Sequence, residues 1–108
     1  MDQGTSGGED GNVLARLAFE TTLVEWRGPP PYLFAPVPAD LVGEVAHAAR
    51  SASYGWGVVP VEAKIGRTRF ATSLFPRNGG YLLPIKLAVQ RSEAIGPAAQ
   101  VEIVMTIR

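Results

Sequence analysis

The 108-residue chain has no cysteine and a single histidine, His47. Without cysteine there are no disulfides, no thiolate metal sites and no cysteine nucleophile. That fits a reducing, cytoplasmic setting. One histidine leaves a metal site short of ligands, because no spacing in the chain supplies the others. It also leaves the best-placed serine, Ser73, without an evident base. His47 follows Glu44 by three residues and reads as a partly exposed helix residue. No apolar run approaches the roughly 18 residues that a membrane helix needs. No basic segment leads into an apolar one at the start, as a secretory signal would. Gly79-Gly80 precedes a strand pattern rather than a helix, so it matches neither a P-loop nor a dinucleotide turn. Glu20, Glu25, Glu62, Glu93 and Glu102 fall on strands or turns without an obvious partner for acid–base work. No cofactor is expected.

Net charge is also missing: ten bases balance ten acids. The balance is uneven, however. Asp2, Glu9 and Asp10 lie in residues 1–12, and Lys64, Arg67, Arg69, Arg77, Lys86 and Arg91 fill a segment with no acid between Glu62 and Glu93. Such cations either keep sheet edges solvated or form an anion-binding face. Residues 1–12 are glycine-rich with no large apolar residue after Met1, which predicts a disordered tail. Residues 13–108 are then a single domain, long enough for one core, with 46% hydrophobic and 19% charged residues, as in ordinary globular chains.

Apolar residues recur with period two along most of the chain, the mark of half-buried strands. Val59, Val61, Ala63 and Ile65 share one parity, as do Phe70, Thr72 and Leu74, then Tyr81, Leu83 and Ile85, and finally Val101, Ile103, Met105 and Ile107. Gly66-Arg67 suits a tight hairpin, and Pro76–Gly80 reads as the next turn. Val13–Trp26 reads as one long strand with a bulge at 24–26, and Tyr32–Val37 as a short one. Ala39–Ser51 carries a helical stripe of Leu41, Val42, Val45 and Ala49, and Leu87–Glu93 reads as a short helix. Strand, proline, helix, glycine turn and strand occur in that order at 32–65 and again at 81–107. The expectation is a mainly β fold: a small closed barrel of about six strands with one good and one short helix, in two halves related by a pseudo-twofold axis.

The segments WGVVPVEAKIG at 56–66, TSLFPRNGGYLLPIK at 72–86 and VPADL at 37–41, with Phe19 and Trp26 in the first strand, resemble the domain of unknown function 1905 family over roughly residues 17–108. The resemblance implies a small β-barrel and carries no established catalytic residues. Where that family has a Gly-Asp turn before the last strand, this chain has Gly96-Pro97-Ala98-Ala99-Gln100. The order of elements at 81–107 is also similar to the half-barrels of swapped-hairpin DNA-binding regulators, a likeness of fold alone.

Three functions follow as expectations. The first is a small-molecule site for an anionic or aromatic ligand at a basic barrel mouth lined by Trp56, Ser73, Arg77, Lys86 and Arg91. The second is a dimeric nucleic-acid-binding module using the same bases, against which zero net charge argues. The third is a small biosynthetic or hydrolytic enzyme. No membrane partner is expected, and either a monomer or a homodimer fits.

Overall fold

The computed structural model describes residues 13–26, 32–52 and 57–108. The expected tail at 1–12 and the ligand candidate Trp56 lie outside the described residues. Seven strands are described: β1 (Ala15–Thr22), β2 (Val24–Trp26), β3 (Tyr32–Pro36), β4 (Val59–Ile65), β5 (Thr68–Arg77), β6 (Gly80–Pro84) and β7 (Gln100–Ile107). Helix α1 (Val42–Ala52) follows a 3-10 turn at Ala39–Leu41, and α2 (Leu87–Glu93) lies between β6 and β7. The sheet order is β1-β7-β4-β5-β6-β3-β2, antiparallel throughout. Equivalent strands of the two strand–helix–strand units pair with each other, β3 with β6 and β4 with β7.

The sheet is an open half-barrel, which corrects the expectation of a closed six-stranded barrel. The cause lies in the first strand. The predicted continuous strand 13–26 is interrupted at Leu23, whose N–H donates to Ala99 O (2.8 Å) and whose carbonyl accepts from Ala98 N (2.9 Å). The chain therefore leaves β7 after Thr22 and joins β3 from Val24. The two edges of the sheet are β1 and β2, successive segments of the chain. Between β1 and β3 the described contact is a side-chain bond, Thr21 Oγ1 donating to Pro36 O at 2.7 Å.

The period-two pattern accounts for the core. Val59, Val61, Ala63 and Ile65 are all buried, as are Val101, Ile103, Met105 and Ile107, and Leu74 and Leu83 are fully enclosed. From β1 come Leu17 and Phe19, and from α1 Val45, Ala48 and Ala49 close the concave side. Burying each aliphatic side chain of this size stabilises by about 1.5–3 kcal/mol, so the alternation alone dictates which sheet face turns inward. In α2 only Val89 is buried. That helix ends where Ala94 takes a left-handed φ of 55°, with Ile95 N donating to Gln90 O at 3.0 Å, the six-to-one bond of a Schellman motif.

Both hairpin turns around β5 have two residues. Ile65 opposes Thr68 across Gly66-Arg67, with positive φ at Gly66, as a type II′ turn requires. The second turn is shorter than the predicted Pro76–Gly80. Strand β5 runs on through Arg77, which opposes Gly80, and only Asn78-Gly79 turns, with φ of 52° and 78°. Positive φ at both positions is the type I′ geometry that matches strand twist.

Candidate functional site

Residues alternating with the core side chains form the convex outer face. Across β1, β7, β4 and β5 one row reads Arg16, Thr106, Glu62, Ala71 and the next Ala18, Val104, Lys64, Arg69. Lys64 and Arg69 are therefore directly opposed cations. Arg108 follows β7 and pairs with Glu62. These side chains border a half-open depression of about 620 Å³ in which Arg16, Lys64, Arg69 and Arg108 surround the single carboxylate of Glu62. The Arg108–Glu62 partners are 38% and 65% exposed, and pairs that wet contribute little to stability. Like charges directly opposed across an antiparallel pair are destabilising, so Lys64–Arg69 works against the fold at this position.

Helix α2 holds that charged hairpin in place. Arg67 N donates to Glu93 Oε2 at 3.2 Å, Thr68 Oγ1 donates to the same oxygen, and Thr68 Oγ1 lies 2.9 Å from Ser92 Oγ. One carboxylate thus satisfies the turn between Lys64 and Arg69. Gly66 makes this contact possible, because a Cβ there would collide with the Glu93 carboxylate.

At the other end of β5 the same outer face turns aromatic. Phe34 is buried but lies on the opposite side of β3 from Leu33 and Ala35, which join the main core. Its ring meets Trp26 edge-on at 5.3 Å and Phe75 at 5.5 Å, while Trp26 and Phe75 stack at 6.4 Å and 24°. Arg77 Cζ lies 3.7 Å over the Trp26 ring, a cation–π contact. Trp26 and Tyr32 remain 37% and 52% exposed, so the rings form a platform open to solvent.

The family described as domain of unknown function (DUF1905) matches residues 19–105 of this sequence. The chain belongs to that family. The match spans every described strand but the start of β1 and the end of β7; it covers the aromatic stretch of the outer face and Glu62, Lys64 and Arg69 of the charged one, but not Arg16 or Arg108. No curated protein gives a significant match.

In this DUF1905 chain the sequence-predicted ligand residues that are described, Ser73, Arg77, Lys86 and Arg91, are distributed rather than gathered. Ser73 and Arg77 lie on the outer face of β5, two and four positions beyond Ala71 and Ser73 respectively in the same parity. Lys86 immediately precedes α2 and Arg91 sits in its last turn, both exposed. Because Ser92 and Glu93 bond to the Thr68 end of β5, Arg91 and Arg77 belong to opposite ends of a ten-residue strand, about 30 Å long at about 3.3 Å per residue. His47 is exposed on α1, and no group of three metal-ligating side chains exists among the described residues. No described helix is long and apolar enough to cross a membrane. The residues absent from the expected site are Arg16, Lys64, Arg69, Arg108 and Trp26. The outward parity of Arg16 in its strand was the available signal, but only the β1–β7–β4 register brings it beside Glu62.

Proposed function

We propose that this DUF1905 protein binds an anionic small molecule in the depression on the outer face of β1, β7, β4 and β5. Lys64 and Arg69 are the principal contacts, with Arg16 and Arg108 at the sides. The observation that supports this reading is the direct opposition of Lys64 and Arg69 on a hairpin clamped by Glu93. Two cations held together against their repulsion are relieved by an anion between them. Arginine offers the planar fork that matches carboxylate or phosphate oxygens, and lysine adds a point charge. Arg108 closes over the ligand by exchanging its exposed bond with Glu62 for one with the anion. The ligand class is the one expected from the basic segment, although its place is a sheet face rather than a barrel mouth. A cytoplasmic setting, where phosphorylated and carboxylated metabolites are abundant, belongs to the same reading.

Inorganic pyrophosphate is a suitable probe, followed by the rise in melting temperature of the protein at two salt concentrations. Arg69→Ala is expected to abolish the rise and Lys86→Ala to leave it unchanged. A rise that survives Arg69→Ala and disappears in Lys86→Ala would move the site to α2 and overturn this assignment. No rise with any small anion would overturn the function itself.

A further inference from the structure

We infer that the outer face of β5 is a track for single-stranded nucleic acid, with backbone phosphate taken in the Lys64–Arg69 depression and a base stacked on the Trp26–Arg77 platform. This rests on the depression's being an anion site and extends it from a free small anion to the phosphate of a polymer. Four observations carry it. The cationic and aromatic clusters share one face of one strand, since Arg69, Ala71, Ser73, Phe75 and Arg77 alternate with the core residues of β5. Arg69 and Phe75 are about 20 Å apart along that strand, too far for the phosphate and base of one nucleotide and suited to a run of about four. The residues between them, Ala71 and Ser73, are small, and the carboxylate opposite Ala71, Glu62, is paired with Arg108. Finally, Trp26 is exposed with a guanidinium 3.7 Å over its ring; a cation so held can stack on a base and bond a phosphate at once.

The chemistry selects a single strand. Stacking on Trp26, Tyr32 or the Arg77 guanidinium needs an unstacked base, which a duplex does not offer. The zero net charge of the chain supplies no long-range attraction, so recognition depends on the cations that line the depression, Lys64 and Arg69 foremost, together with the rings. That combination predicts sequence-tolerant binding, because every base has a π-face.

The chain has two tryptophans, so a Trp56→Phe background makes Trp26 the sole reporter. The protein is titrated with a short oligothymidylate, a duplex of equal length and inorganic pyrophosphate. The expected result is quenching of Trp26 by the oligothymidylate, with log affinity falling against log salt by about 0.7 per phosphate engaged. Arg77→Ala, checked for an unchanged circular dichroism spectrum, is expected to weaken oligothymidylate binding about tenfold and to leave pyrophosphate binding intact. Arg69→Ala is expected to weaken both. Pyrophosphate binding without oligothymidylate quenching would overturn the track and leave the anion site standing. Duplex binding equal to or tighter than single-strand binding would overturn the stacking platform. Failure of both probes would overturn the anion site and the track together.

Discussion

The two turns that bound β5 are built alike and held differently. Both use two residues and a glycine with positive φ, Gly66 in one and Gly79 in the other. The Gly66 turn lies under a carboxylate from α2, which bonds the Arg67 amide and the Thr68 hydroxyl. The Gly79 turn has open space where a Cβ would point. The side chains beside each turn account for the difference. Lys64 and Arg69 repel each other and need a restraint from outside the hairpin, whereas Trp26, Phe34 and Phe75 hold the other end through ring contacts of about 0.5–1.5 kcal/mol per pair beyond area burial. A favourable turn type thus sets the direction of the chain, and rigidity at that turn comes from what packs against it.

The contrast is broken most sharply at Gly66. Gly66→Ala places a Cβ against Glu93 at a φ of 57°, and is expected to cost about 2–3 kcal/mol from left-handed strain plus lost bonds to the carboxylate. Urea denaturation reads this directly. In a Glu93→Ala background the same substitution should cost only the backbone share, about 1 kcal/mol, so the double-mutant cycle isolates the clamp. Gly79→Ala, at a φ of 78° with nothing nearby, is expected to cost about 1 kcal/mol in either background. Equal costs at Gly66 and Gly79 would remove the distinction. The smallest effect has the opposite sign. Arg69→Glu turns the repulsive Lys64 pair into an attractive one and is expected to stabilise the protein by about 0.5 kcal/mol at low salt, a gain that fades as salt screens it. The same substitution should abolish pyrophosphate binding, so stability and binding would move in opposite directions.

Much of this architecture was legible in the sequence because it rests on parity. The alternation in Val59–Ile65 and Val101–Ile107 names the buried residues one by one, and the stripe on α1 needs only Ala48 added. Leu87–Glu93 emerges as predicted because Pro84 ends the preceding strand. The interruption at Leu23 was not legible, since it depends on backbone bonds to Ala98 and Ala99, far along the chain. Phe34 shows the same limit. In Tyr32–Pro36 every residue from Leu33 to Ala35 is buried, so no alternation reveals that Phe34 faces away from the main core into a second cluster. For the charged surface, the basic segment contains Lys64 and Arg69, but the ligand residues expected from it are Arg77, Lys86 and Arg91. Grouping Lys64 and Arg69 with Arg16 and Arg108 requires the register between strands at opposite ends of the sequence. Lys86 and Arg91, in the same acid-free segment as Lys64 and Arg69, instead lie at the start of α2 and in its last turn.

That register bears on how the molecule assembles. Strand β1 pairs with β7 along all eight residues, from Ala15 opposite Ile107 to Thr22 opposite Gln100. The β4–β5–β6 meander joins strands adjacent in the chain, and can form early at small loop-closure cost. Strand β1 cannot pair until β7 has been synthesised, and Leu17 and Phe19 lack the neighbours that finally bury them until then. Pairings of such high sequence separation slow folding and leave apolar strands open to intermolecular association meanwhile. The polar residues Arg16, Glu20 and Thr22 that alternate with them are therefore already at work before the sheet exists, keeping the waiting strand in solution.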